Sequence, residues 1–213
     1  MKHRLLLALS VSVATVLFST QAAFAAATTI PNPNAAYLAA TGKCDLGAVG
    51  TVTSTCTDAN GLSATFSSPL SVLQVPAGGW ATWSGPPFSE SATPKVGFYG
   101  GTTLTIDESN VISPVAGVEL EPNAFQPFTM TADFYDYQGN KFATVSQVVN
   151  GLAGARLFAI SSDAEVIAKI VITCVCGGGG WALAQVRASD FTTDPSITAP
   201  SGGSAPSGGS SNN

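Results

Sequence analysis

Pro127-Phe128-Thr129-Met130-Thr131-Ala132-Asp133-Phe134-Tyr135 sets apolar Phe128, Met130, Ala132 and Phe134 against Thr129, Thr131, Asp133 and Tyr135. A period of two places the first group on one side of an extended chain and the second on the other, as in a strand with one face in a core. Asp136-Tyr137-Gln138-Gly139-Asn140 then supplies the residues of a tight reversal, and 141–149 returns as a second run. An antiparallel hairpin over 127–149 is the fixed point from which the rest is read.

Upstream, 62–66, 70–75, 96–99, 102–106 and 115–120 are short β-like runs separated by turn residues, and Gly100-Gly101 predicts a two-residue hairpin turn. Downstream, Asn150–Gly154 turns the chain into 156–160. The stretch 165–176 is apolar on both faces for much of its length, which predicts a central strand. Gly177–Gly180 breaks it as a bulge or turn, and 181–187 closes the domain. This pattern predicts an all-β fold with little helix: an antiparallel β-sandwich of jelly-roll, galactose-binding-like type.

Met1-Lys2-His3-Arg4, an apolar run from Leu5 to Phe18 and Ala23-Phe24-Ala25 read as a secretory signal peptide over 1–25. Residues 26–61, with Pro31, Pro33, Gly42, Gly47 and Gly50, read as an irregular lead-in carrying a disulfide loop. The sandwich is expected over 62–191, followed by a disordered Gly/Ser/Pro tail over 192–213. Removal of the signal takes away His3, Lys2 and Arg4. Six basic residues then face thirteen acidic ones, a net charge of −7. So sparse and acidic a surface argues against nucleic acid and against anionic lipid. No second apolar stretch of membrane length follows, so no membrane span is expected after signal removal. The sequence carries no signal of oligomeric state.

Cys44, Cys56, Cys174 and Cys176 are an even number in a chain read as exported, so disulfides are expected. Three pairings are open. Cys44–Cys56 is favoured because a short loop closes cheaply, leaving Cys174 and Cys176 to pair with each other or stay reduced. Two crossed bridges are the competing arrangement. One C-x-C without histidine is a poor zinc site.

Without imidazole, only carboxylate chemistry is easily assembled. Glu119 and Glu121 share a strand face with Cα atoms ~6.6 Å apart, within the range of glycosidase carboxyl pairs. The plainer reading is two acids facing water. Asp133, Asp136, Gln138 and Asn140 offer hard oxygens around the hairpin turn, a candidate structural Ca²⁺ site, yet these are also ordinary turn residues. No other cofactor is expected.

Trp80, Trp83 and Phe88 fall in a Pro/Gly-rich loop, where exposed rings could stack on sugars; a spacing of three sends at least one tryptophan into the core. Tyr135 and Tyr137 are the better-exposed aromatic candidates. Trp181 reads as core or rim. Arg156 reads as structural, satisfying loop carbonyls or pairing with Glu119 or Glu121.

Val118–Asn123, Phe128–Asp136, Gly151–Ala159 and Gly180–Arg187 occur in an order that resembles a module of bacterial exported proteins of the PEP-CTERM, exosortase-associated kind, over about 96–187. The resemblance implies a secreted or surface-displayed β-sandwich. The family's Pro-Glu-Pro signal, membrane stretch and basic cluster have no counterpart in 192–213, so plain secretion is expected, to the extracellular space, the periplasm or the cell surface. The resulting expectation is a secreted, non-catalytic binding or structural module, with a polysaccharide or matrix component as partner. A carboxylate-dependent extracellular hydrolase such as a glycosidase is the alternative. A self-assembling matrix subunit is the third reading.

Overall fold

The computed structural model describes residues 27–59, 61, 63–109, 113–163 and 166–189. The expected signal peptide and tail lie outside these residues. The described elements are β1 (Ala27–Ile30), α1 (Ala35–Ala40), β2 (Gly42–Lys43), β3 (Val52–Thr57), β4 (Ser63–Gln74), β5 (Lys95–Tyr99), β6 (Thr103–Asp107), β7 (Val115–Pro122), β8 (Pro127–Tyr135), β9 (Lys141–Asn150), β10 (Arg156–Ser162), β11 (Lys169–Cys174) and β12 (Trp181–Ala188). The strands run in the order β1-β10-β7-β12-β5-β4-β6-β11-β8-β9, with β2 beside β12 and β3 beside β4.

The antiparallel all-β architecture is as the alternation predicts. The hairpin that anchors the reading is β8–β9, in register from Pro127 opposite Asn150 to Phe134 opposite Ala143, after which the register shifts and Tyr135 stands opposite Lys141. The run expected to be central is β11, held between β6 and β8.

The two layers of the sandwich are joined by β4. Its Ser71, Val72 and Leu73 pair with β5, whereas Thr65 and Phe66 pair with β6. Pro69 lies between these halves and has no N–H to give to a ladder. The strand turns the corner between β1-β10-β7-β12-β5 and β6-β11-β8-β9. Gly100-Gly101 therefore does not close a hairpin. It carries the chain from one layer to the other, because β5 pairs with β12 and β4 while β6 pairs with β11 and β4. At the far seam Gln147 Nε2 donates to the Leu157 carbonyl (2.6 Å), so the curled sheet nearly closes into a barrel.

Leu120, Phe158, Trp181 and Leu183 from one layer meet Ile106, Phe134, Ile170 and Ile172 from the other in a single apolar cluster. Each is buried, and each such side chain contributes about 1.5–3 kcal/mol relative to exposure.

The first layer is buried on its outer face as well. Small residues there, Gly117, Ala159, Ala182 and Ala184, let other segments approach closely. Helix α1, capped by Asn34 Oδ1 accepting from Tyr37 N (2.9 Å), lays Tyr37 and Leu38 on Leu157 and Ala159. A methyl group at Gly117 would come within 2.8 Å of the Tyr37 hydroxyl. Residues 75–94, which form no named strand, lay Val75, Trp80 and Trp83 on Val96, Ala155, Ala182 and Ala184.

The segment 26–61 departs from the expectation of an irregular lead-in. Ala27–Ile30 pair with β10, Gly42 and Lys43 with β12, and Val52–Thr57 with β4. Strands short and poor in periodicity form here because neighbouring strands supply their hydrogen-bond partners. The domain thus includes residues well before 62.

Cys44 is bonded to Cys56 and Cys174 to Cys176, with Cα atoms 5.3 and 5.2 Å apart. Both are the local pairings. The second is closer than the ~6.6 Å of a regular strand because β11 ends at Cys174 and the chain turns towards Gly177.

Candidate functional site

Neither tryptophan is an exposed platform. Trp80 and Trp83 are 5% and 4% exposed. Both can be inward because 75–94 is not a strand, and a spacing of three therefore does not alternate them. Trp80 Nε1 donates to Glu121 Oε2 (2.7 Å) and Trp83 Nε1 to Glu119 Oε2 (3.0 Å).

The two glutamates share one face of β7, as their spacing requires, but that face is covered rather than wet. Glu119 Oε1 accepts from the Glu90 N–H (2.6 Å) and Glu121 Oε1 from the Gly154 N–H (3.1 Å). Burial raises each carboxyl to about 7, with Trp83 and Glu90 opposing at Glu119, and Trp80, Gly154, Thr82 and Ala155 opposing at Glu121. Both are wholly buried, and their oxygens point at indole and backbone donors. Chemically this is a clasp that fixes 75–94 to the sheet.

Arg156 satisfies loop carbonyls, donating to Gly154 O (3.0 Å) and Ala155 O (2.9 Å), and its guanidinium stacks 4.2 Å from the centre of the Phe88 ring. It does not pair with Glu119 or Glu121. The arginine near Glu119 is Arg187, which holds Glu90 at 2.9 Å.

The proposed calcium oxygens have other commitments. Asp133 accepts from Thr144 Oγ1 and pairs with Lys141 (3.4 Å). Asp136 accepts from the Asn140 backbone (2.8 Å) and side-chain amide (3.0 Å), so Asn140 donates there. Slight burial pushes the Asp136 carboxyl up, but the donors of Asn140, Gln138 and Gly139 outweigh it and hold it below the ordinary aspartate value. Among the described residues no group of three or more His, Cys, Asp or Glu could hold a metal ion.

What does assemble at the hairpin tip is a hollow of about 160 Å³ lined by Asp107, Ser109, Asp136, Tyr137, Gly139 and Lys169, with Ala168 beside them. Strand register builds it. Lys169 of β11 stands opposite Asp107 of β6 on one side and Tyr135 of β8 on the other. Its ammonium lies 4.5 Å from the Tyr135 ring centre, a cation–π contact. Asp107 Oδ1 accepts from Ser109 N (2.8 Å). Tyr137, in the turn, is 41% exposed. The hollow thus brings together Tyr137 and Asp136, with Tyr135 on the same row, and leaves out Trp80, Trp83 and Asp133. Asp107 and Lys169 come from other strands, and Ser109 from the turn just after β6; only the register of three strands brings them here, and no local motif marks them.

No family model matches the chain, and no curated protein is similar to it. Among solved structures, the chain is similar to an arabinose-bound GH51 α-L-arabinofuranosidase at 14% identity and TM-score 0.35, covering 75% of this chain and 24% of that one. It is also similar to the enzymatically active domain of a tailspike protein from bacteriophage CBA120 at 14% identity and TM-score 0.29, covering 46% of this chain and 15% of that one. The chain spans about a quarter of the length of the first.

Proposed function

We propose that this chain is a secreted, non-catalytic module that binds an extracellular polysaccharide or matrix component at the hairpin tip. The observation that carries the reading is the Tyr137 hollow. An exposed phenol ring offers an apolar face, and Asp107, Ser109, Asp136 and Lys169 surround it with donors and acceptors for hydroxyl groups. Sealing of Glu119 and Glu121 under 75–94 favours binding over hydrolysis, since the acid pair read from the sequence has no path to a substrate. The resemblance of 96–187 to exported surface modules and the two disulfides support a place outside the cytoplasm.

The test is a glycan and polysaccharide array probed with the full secreted chain and with Tyr137→Ala. Saturable binding lost in the variant, with an unchanged melting temperature, is the expected result. Silence of the folded chain across a broad array, or equal binding by the variant, overturns the assignment to this hollow.

A further inference from the structure

A second recess, sharing no residue with the Tyr137 hollow, is a groove of about 440 Å³ whose lining mixes apolar residues such as Leu46 and Pro94 with Lys43, Asp45, Glu90, Lys95 and Gln185. Its size falls within the ~300–1,000 Å³ usual for small-ligand sites. One wall is the end of the 75–94 cover. Glu119 holds that wall by accepting from the Glu90 N–H, and Arg187 holds the Glu90 carboxylate (2.9 Å).

Gln185 is the decisive residue. It lies where the pairing of β12 with β7 slips between Ala184 and Arg187, and its φ is +52°. Left-handed backbone is strained for glutamine and free for glycine. Bulges re-aim side chains, and strain of this kind concentrates at binding sites. The Gln185 side chain, half-buried on the groove, makes no hydrogen bond to any described residue. A backbone requirement alone would be better served by glycine; the amide is what the position gains.

The charges of the groove are already matched. Lys95 pairs with Asp45 and donates to the Gly47 carbonyl (2.7 Å), and Lys43 pairs with Glu90 (3.2 Å). A charged ligand would have to displace one of these partners. An uncharged ligand rich in hydroxyl groups can instead add to them, giving and accepting hydrogen bonds at the rims of both pairs and at the free amide. We propose that this groove is a second binding site, for an uncharged, hydroxyl-rich oligosaccharide, with Gln185 as its recognition residue. It shares a ligand class with the function proposed above but rests on separate residues.

The experiment is an amide-shift titration of the isotope-labelled secreted chain with cellohexaose, laminarihexaose and maltohexaose, with polygalacturonate as the charged comparator. The variants are Gln185→Gly and Tyr137→Ala. At least one neutral hexaose should shift residues 43–47, 90–95 and 184–187 saturably. Gln185→Gly should weaken that binding at least tenfold while raising the melting temperature, and Tyr137→Ala should leave it in place. Still groove signals with all three neutral probes, a response to polygalacturonate alone, or unchanged affinity in Gln185→Gly would overturn the inference. Groove binding that persists while signals around Tyr137 stay still would sink the hollow and spare the groove; the reverse pattern would do the opposite.

Discussion

Trp83 and Glu119, 36 residues apart in sequence, meet in a buried indole-to-carboxylate hydrogen bond of 3.0 Å, and the same carboxyl takes the Glu90 N–H on its other oxygen. One side chain thus fastens the cover at two places. Truncating it leaves the buried Trp83 indole N–H and the half-buried Glu90 N–H without their acceptor, each costing ~1–3 kcal/mol. Glu119→Ala should therefore destabilise the domain by about 2–4 kcal/mol in urea unfolding. A loss under about 1 kcal/mol would mean the cover is held mainly by its apolar contacts.

Three buried acids set the pH dependence. Burial raises Glu119 and Glu121 to about 7. Glu108, whose two oxygens find no partner among the described residues, is raised to about 8 by burial first and by the nearby Asp107 charge second. With folded values above unfolded ones, the native state binds more protons between roughly pH 4.5 and 8. Their stabilising contribution is complete below that window and is lost as pH rises through it. Asp45, held low chiefly by its Lys95 hydrogen bond, slopes the other way, but only in more acidic solution. Urea midpoints should fall from about pH 5 to about pH 8.5, by about 2 kcal/mol or more in stability. Glu108→Gln should flatten the profile, and a midpoint that rises with pH would contradict the assignment.

Gln185→Gly should stabilise the fold by about 1 kcal/mol, because it removes left-handed strain from a non-glycine residue. Calorimetry reads this directly. A lower melting temperature would show that the amide makes a contact the fold depends on.

The disulfides should contribute unequally. Cys44–Cys56 spans 12 residues, and its replacement by serines should cost about 2–3 kcal/mol. Cys174–Cys176 spans two, closes almost no chain entropy, and should cost less when replaced. Equal losses would refute the loop-closure account.

The strands of the hairpin were legible because each residue from Phe128 to Tyr135 faces either core or surface, and period two records that choice. Cys44–Cys56 was legible from short separation. The environment of Glu119 was not. A strand covered on both faces loses its alternation, and the covering segment, lacking a period of its own, announces nothing. The trace it did leave is small residues at outward positions, Gly117, Ala159, Ala182 and Ala184, which make room for a neighbour. The same concealment applies to Trp80 and Trp83, whose spacing means something only on a strand. Asp107 and Lys169 needed knowledge of which strands lie side by side. The bulge at Gln185 has no sequence signature, since glutamine is not a residue that marks left-handed backbone.

The corner made by β4 bears on how the molecule comes apart. One strand supplies hydrogen bonds to β5 in one layer and to β6 in the other, so neither layer can melt while its companion stays whole. Heat or denaturant should find a single cooperative unit, with no half-molten sandwich along the way. A cut in the backbone near Pro69 would sever the strand whose two halves hydrogen-bond to both layers.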